Sequence, residues 1–496
     1  MRPLNRKLIQ EGFTFPPGLI APAPATDLPV RVLQFGEGNF LRGFVDWMIQ
    51  RLNVSGRFSG GVLVVQPIAT GLAEAVNGQD GLYTLLLRGV QDGRTIDHRE
   101  LVSSIVGAIN PYEEFERFLS AARLPHLSVI VSNTTEAGIV FKPDDRLADR
   151  PPASFPGKLT RLLWERFAHC GREAAPGLAI VPCELIERNG DALRTAVRQT
   201  ARNWQLPDDF IGWLEQSNEF ANTLVDRIVT GYPKDEATTI CRQLGYEDRL
   251  LVAGEPFHLW VIEASPKLAQ LWPFHEIGLN VIFTDDLRPY RDRKVRILNG
   301  AHTMTAPAAY LMGLDTVGQC MADEDVRQFM EQGLFEEIIP TLDLPRRELE
   351  SFAASVLERF SNPHVRHELF SITLNSTSKF RARLVPSILE YARRFGRPPS
   401  RLAFATAALA LFYRGGEANG RAYAVQDDLA AVDALASLWR SYDGQSDAAH
   451  RVVEGFLALK SLWGIDLREI AGFSAAVTAH LTRMLQVGVR SAIRSA

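Results

Sequence analysis

The stretch VRVLQFGEGNFLRGFVDWMIQRLN, residues 30–53, constrains this chain more than any other. An apolar run breaks on Gly36 and Gly38, and Phe40, Phe44, Trp47 and Met48 then recur at helical spacing, which spells strand, tight turn, helix. A second strand is expected at 61–66 (GVLVVQ) and a third at 127–132 (LSVIVS), behind a helix-like stretch at 112–123. Further buried strands are expected at 178–182 (LAIVP) and 281–284 (VIFT). Strands alternating with helices in this way build a parallel α/β sheet. Two segments depart from the pattern. Residues 15–29, FPPGLIAPAPATDLP, are dense in proline and alanine and read as an extended arm. Residues 77–92 place LYTLLLRG between the turn sequences NGQDG and QDG, as an inserted antiparallel pair would. Beyond about residue 285 amphipathic segments dominate, at 325–339, 349–359, 387–394, 402–413, 429–442, 449–462 and 475–490. The reading is an α/β domain over 1–284 followed by an all-α domain over 285–496.

Composition narrows the class of function. With 46% hydrophobic and 23% charged residues the chain is globular, and 54 Lys plus Arg against 58 Asp plus Glu leave no basic surface for nucleic acid or anionic lipid. Four cysteines without a Cys-x-x-Cys pair make no disulfide framework and suit a reducing cytosol. The N-terminus, MRPLNRKLIQEGFTF, lacks the apolar run of about 7–15 residues that a signal peptide needs. The most apolar region, 402–413, falls short of the ~18 residues of a membrane span and reads as a buried helix. A cytoplasmic protein is expected, with no membrane or nucleic-acid partner; nothing in the sequence specifies an oligomeric state.

Three segments carry candidate chemistry. In the turn Gly36-Glu37-Gly38-Asn39-Phe40 the first two glycines of G-x-G-x-x-G are present and the third is not. Between a strand and a helix they let the backbone approach a pyrophosphate at the helix N-terminus, with Asn39 or Arg42 as added donors. Gln66 ends the second strand, where an acidic residue ordinarily holds the ribose hydroxyls, which leaves NAD and NADP both open. The loop Ser132-Asn133-Thr134-Thr135-Glu136 closes the third strand at the sheet edge where ligands bind, and fits either a nicotinamide pocket or the cap of a following helix. In YRDRKVRILNGAHT, on a helix turning 100° per residue, Lys294, Asn299 and His302 fall at roughly 0°, 140° and 80°. An amine, an amide and an imidazole on one face suit carbonyl reduction, and equally a solvated basic helix at a domain seam. Tyr290 and Lys294 also form Tyr-x-x-x-Lys, but after the last strand rather than at mid-sheet.

Elsewhere, His364 and His367 lack a nearby third metal ligand and read as a surface pair. Val225-Asp226-Arg227-Ile228 reads as a structural ion pair. In KFRARL, Lys379, Arg381 and Arg383 share one side of a strand, whereas in a helix Lys379 and Arg383 alone share a face. Such a cluster suits a carboxylate ligand or a solvated basic surface.

The segments FGEGNFLRGFVDWM, SNTTEAGI, PCELIERNG, VDRIV, EPFHLWVIEA and RKVRILNGAHT occur in the order seen in the mannitol dehydrogenase family of polyol-specific long-chain dehydrogenases, which the chain resembles from about residue 4 to its end. The resemblance implies a Rossmann-type N-terminal domain, an all-helical C-terminal domain, NAD as cofactor and no metal. It implies Lys294 as general acid/base, Asn299 as oxyanion donor, His302 as substrate ligand, Asp226 as a residue near the active site, and Gly36 and Gly38 as the pyrophosphate turn. Where mannitol dehydrogenases carry a second oxyanion asparagine this chain has Leu185, and Asn189 is the candidate to replace it. Position 291 is arginine where the mannitol enzymes have a glutamate proton gate, so proton release is expected to take another route. The basic cluster stands where polyol contacts are expected, an exchange that a hexuronate substrate explains, and the resemblance, strongest at PCELIERNG, PYRDRKVRILNGAHT and NSTSKFRARLVPS, implies interconversion of D-tagaturonate and D-altronate. The alternatives are fructuronate/mannonate or mannitol/fructose chemistry, or a dinucleotide-binding sensor.

Overall fold

The computed structural model describes residues 1–21, 27–134, 137–170, 176–445 and 447–495. Its contacts gather the chain into two compact units, Met1–Gly89 with Thr95–Leu287, and Val90–Arg94 with Arg288–Ala496. The main division falls after Leu287, three residues beyond the expected boundary at 284.

The first unit is organised by six parallel strands, β1 (Val30–Phe35), β2 (Gly61–Val65), β3 (Ile105–Ile109), β4 (Val129–Ser132), β5 (Ala179–Pro182) and β6 (Glu219–Phe220). Their order across the sheet is β3-β2-β1-β4-β5-β6, the doubly wound order whose connections reverse between β1 and β4. Both faces are covered, and the two-residue period sorts the side chains. Val32, Val62, Val64, Val129 and Val131 pack with Phe44, Met48 and Ile49 of the helix after β1. Leu33, Phe35, Leu63, Val65 and Ile130 face Phe118, Leu159, Leu163 and Phe210 on the other side.

The insertion is a hairpin of Tyr83–Gln91 and Arg94–Val102, turning at Asp92 (φ 54°) and Gly93 (φ 71°) as a two-residue loop with both residues left-handed. Its tip belongs to the second unit, where the Glu358 carboxylate accepts the backbone N–H groups of Asp92 (3.0 Å) and Gly93 (2.6 Å). Of the expected arm, Leu19–Ile20 pairs in parallel with Arg99 and Glu100, and residues 22–26 lie outside the described residues. Asn222–Asp226, Leu259–Glu263 and Val281–Thr284 form a separate three-stranded sheet, so the strand expected at 281–284 is not part of the parallel one.

Among the described residues the second unit is helical apart from the tip Val90–Arg94 and the small hairpin Gly416–Ala418 and Arg421–Tyr423, which the all-α expectation omitted. Ser400–Phe412 is buried almost throughout and packs on Gly300–Leu311 and Phe473–Val487. Among the described residues no helix is long and apolar enough to cross a membrane.

Candidate active site

In the first unit a cleft of about 330 Å³ opens at the carboxyl ends of β1 and β4, lined by Gly36, Glu37, Gly38, Pro67, Ile68, Asn133 and Thr134 among others. This is the switch point of the sheet, where doubly wound folds bind their ligands. Gly36 sits at φ 122°, and a Cβ there would lie 3.0 Å from the Asn133 carbonyl oxygen, so only glycine lets the two loops come this close. Among the described residues nothing lies within 4 Å of the Cβ position at Gly38, which leaves the backbone open to a ligand. A close glycine turn leading into a helix N-terminus fits a dinucleotide pyrophosphate.

The turn is braced from behind. Gln34 Nε2 donates to the Gly36 carbonyl (3.1 Å) and to Asp46 Oδ2 (3.0 Å). Arg42 is buried and donates to the Glu37 carbonyl (3.1 Å), to Asn39 Oδ1 (2.9 Å) and to the Leu250 carbonyl. Arg42 is therefore a brace rather than a ligand donor, and it holds Asn39. Phe40 stacks on Phe44 with centroids 5.0 Å apart.

Among the described residues no helix follows the loop after β4 until Phe155, so it is not a helix cap there. Its hydroxyls turn instead to Glu184, whose carboxylate accepts from Ser132 Oγ (3.1 Å), Thr134 N (3.0 Å) and Thr134 Oγ1 (3.1 Å). Burial pushes the Glu184 pKa up against these donors. Asn133 Nδ2 donates to the Cys183 carbonyl (2.8 Å), so this loop and the one after β5 form one wall. Glu136 lies outside the described residues.

Asn189 does not supply the second oxyanion donor. It is fully buried, and its Nδ2 faces the carbonyls of Pro182 (3.0 Å) and Glu184 (3.1 Å) and the Thr223 hydroxyl (3.1 Å). Its Oδ1 accepts from Thr223 N (2.8 Å) and Gly190 N (2.9 Å). An amide so committed clasps β5 to the strand Asn222–Asp226 and has no N–H left for an alkoxide. Asp226 ends that strand, buried. The Arg227 guanidinium donates to the carbonyls of Glu255 (2.9 Å) and Gly43 (2.8 Å) and lies 4.4 Å over the Trp47 ring.

In the second unit the helix bearing Lys294 is not uniform. Arg288–Arg293 is α, Lys294–Asn299 is a π turn and Gly300–Leu311 is α again. The i→i+5 bonding of a π turn brings residues five apart nearer to alignment than the 140° expected from an uninterrupted α-helix, so Lys294 and Asn299 come round toward one face. The segment is anchored by Arg293, which pairs with Glu348 and lies 4.6 Å over the Phe352 ring, and by Arg296, which donates to Ser387 Oγ (2.9 Å). The Tyr290 ring lies 5.2 Å from the Arg293 guanidinium.

One turn on, His302 stacks on Phe360 and meets His367 edge-on at 5.6 Å. Its Nε2 is buried with no hydrogen-bond partner among the described residues. Burial, then the charges of His367, Arg383, Arg359 and Lys379, lowers its pKa to about 3, so the imidazole is neutral at pH 7. Lys379 and Arg383 lie on the helix Ser376–Arg383, whose N-terminal N–H at Thr377 is capped by the Asp427 carboxylate (2.9 Å). Arg383 donates to Thr303 Oγ1 (3.1 Å), beside His302, and Lys379 donates to the Ile372 carbonyl (2.9 Å). Arg381 is on the other face, exposed and against Gly464, and does not join them. His367, expected in a surface pair with His364, instead packs against His302, and Arg359 and Phe360 are not singled out by the sequence: only the fold shows that the His364–His367 segment and the end of Arg346–Phe360 reach His302.

A doubly wound domain carrying a glycine turn, followed by a helical domain carrying a Lys-Asn-His helix, defines a class of dehydrogenase. The chain matches the Mannitol dehydrogenase Rossmann domain over residues 30–273 and the Mannitol dehydrogenase C-terminal domain over residues 286–485, and it belongs to this family. It is 46% identical over 472 residues to the Altronate oxidoreductase of Escherichia coli O1:K1 / APEC, covering 95% of this chain and 98% of that one. In fold it is similar to Pseudomonas fluorescens mannitol 2-dehydrogenase, solved with NAD and D-mannitol (TM-score 0.70, 22% identity, 100% of this chain and 99% of that one). It is also similar to a substrate-free D-sorbitol dehydrogenase (TM-score 0.81, 22% identity, 99% and 100%).

Proposed function

We propose that this chain is a tagaturonate reductase, or altronate oxidoreductase: an NAD-dependent enzyme of the cytoplasm that interconverts D-tagaturonate and D-altronate. The observation that carries the reading is the placing of basic side chains beside His302: Arg383 donates to the neighbouring Thr303 Oγ1 (3.1 Å), and Lys379 lies one turn before it on the same helix. A polyol offers such a site only hydroxyls, whereas a uronate adds a carboxylate that a guanidinium or ammonium can hold by charge-assisted hydrogen bonds. The 46% identity to an altronate oxidoreductase over nearly the whole length supports the same substrate class.

Gly36, Gly38, Asn133 and Thr134 are the residues that would hold a nicotinamide cofactor, which would supply the hydride for the ketone carbon. Lys294 gives its proton to the oxygen of the reduced carbonyl, and Asn299 donates its amide to the charge that develops there. His302, neutral and with Nε2 unpartnered, orients a substrate hydroxyl. Lys379 and Arg383 hold the carboxylate.

D-Tagaturonate is expected to drive oxidation of NADH by the wild-type protein. Lys294→Ala should lose turnover by roughly a hundred- to ten-thousandfold, the range for a general acid/base, while still binding NADH. A variant within tenfold of wild type contradicts the role of Lys294. Wild-type protein that binds NADH and reduces no ketouronate contradicts the enzyme reading and favours a dinucleotide sensor.

A further inference from the structure

The acidic residue that ordinarily receives the ribose hydroxyls stands at the end of the second strand of the doubly wound sheet. Here that place holds Gln66, buried and already engaged. Its Nε2 donates to the carbonyls of Ile68 (2.9 Å) and Ala69 (3.1 Å), and its Oε1 accepts from Ala73 N (3.1 Å). Both N–H groups of the amide are used to shape the loop after β2, so Gln66 offers a ligand no donor.

A carboxylate reaches the same loop from the other side. Glu37, the middle residue of the glycine turn, is 8% exposed and lines the cleft together with Pro67 and Ile68. Its Oε1 accepts from Leu72 N (3.3 Å). A Cβ on Gly71 would lie 2.1 Å from Glu37 Oε1 and 2.6 Å from Gln66 Cδ, so the two side chains converge at a point where the backbone must be glycine. Glu37 Oε2 is buried and has no hydrogen-bond partner among the described residues. Burial raises the Glu37 pKa, against the pull of its own N–H, the Leu72 N–H and the Arg42 guanidinium. A buried carboxylate oxygen without a donor is costly, and a vicinal diol brings the O–H it lacks.

We propose that Glu37, in place of Gln66, receives the ribose hydroxyls of the cofactor, and that its charge makes the cleft select a free 2′-hydroxyl over a 2′-phosphate. This rests on the reading of the cleft as a dinucleotide site. The acceptor that other doubly wound folds carry on β2 has moved to the turn after β1, still within reach of the same loop.

The test is a set of binding titrations, followed by calorimetry or protein fluorescence, on the wild type and on Glu37→Gln, with thermal unfolding as the check of fold. The ligands are NADH, NADPH, ADP-ribose and 2′-deoxy-ADP-ribose. The wild type is expected to prefer ADP-ribose over its 2′-deoxy analogue by about tenfold, the scale of one hydrogen bond to a charged group. Glu37→Gln should lose most of that preference and shift the NADH-to-NADPH ratio toward NADPH by about tenfold. Unchanged ratios in a folded Glu37→Gln protein overturn the inference while leaving the dinucleotide reading intact. Equal wild-type affinity for the two ADP-ribose ligands overturns it without recourse to the variant. A wild type that prefers NADPH also overturns it and turns attention to Lys142 on the cleft lining. Failure of the wild type to bind either dinucleotide overturns the reading of the cleft and this inference with it.

Discussion

The imidazole of His302 lies nearly flat on the ring of Phe360, with centroids 4.2 Å apart and planes inclined by 22°. The contact joins the helix Gly300–Leu311 to the last residue of Arg346–Phe360 and sets the plane in which Nε2 points. Aromatic pairing of this kind contributes about 0.5–1.5 kcal/mol beyond area burial. Phe360→Leu keeps an apolar side chain there and removes the stack. Its kcat/KM for the ketouronate should fall by roughly two- to tenfold with NADH affinity unchanged, as steady-state kinetics beside NADH titration would reveal.

The basic residues near His302 should act on charge rather than on the carbonyl. Arg383→Gln or Lys379→Met should raise KM for tagaturonate by roughly ten- to hundredfold, the scale of a charge-assisted hydrogen bond, and leave any weak turnover of fructose unaltered. Arg381→Gln, on the exposed face against Gly464, should stay within about twofold of wild type. An Arg381→Gln effect as large as that of Arg383→Gln would refute the assignment of the carboxylate to one helix face.

Beneath the glycine turn, Asp46 is fully buried and its pKa is raised to about 7, chiefly by burial. Gln34 Nε2 donates to one carboxyl oxygen, while Asp46 Oδ1 and Gln34 Oε1 are both buried without partners among the described residues. A protonated carboxyl has a proton to donate in such a place; an ionised one has none. The folded state thus binds a proton that the unfolded chain has lost, and stability falls as pH rises from the ordinary Asp value of 3.8 through about 7. Asp46→Asn supplies the missing N–H without a charge. Urea unfolding should show the variant gaining on wild type by on the order of a few kcal/mol at pH 8, with the gap closing toward pH 5. Parallel pH profiles for the two proteins would contradict this.

Gly36→Ala places a Cβ 3.0 Å from the Asn133 carbonyl at φ 122°, a conformation that L-residues rarely adopt. The β1 and β4 loops would have to part, and strain of about 1–3 kcal/mol is expected. NADH affinity should drop by more than tenfold with a smaller loss of thermal stability, because the distortion is confined to the cleft.

Much of this was legible in the sequence for local reasons. The strands at 30–35, 61–65 and 129–132 are largely apolar, as a sheet buried on both faces requires, with Arg31, Gln34 and Ser132 the polar exceptions, and the glycine turn marks its own position. What was missed depends on long-range placement or on departures from a regular period. RTIDHRELV is too charged to read as a strand, yet Arg94–Val102 is one because it pairs with Tyr83–Gln91. The 100° period could not reveal the π turn at Lys294–Asn299. Lys379, Arg381 and Arg383 looked like one cluster until the helix separated them. Asn189 was chosen for its chemistry, and its burial between two strands gave it another task. His367 and Arg359 are 65 and 57 residues from His302, and only the packing of the helical unit brings them together.

Whether the basic group around His302 reads a carboxylate is decided by kcat/KM for D-tagaturonate, D-fructuronate and D-fructose, measured in parallel with NADH. D-Tagaturonate is expected to be the best substrate and to exceed fructose by at least about a hundredfold, most of it in KM. Fructose turned over as well as either uronate would contradict it, leaving the family intact and the basic cluster without its role.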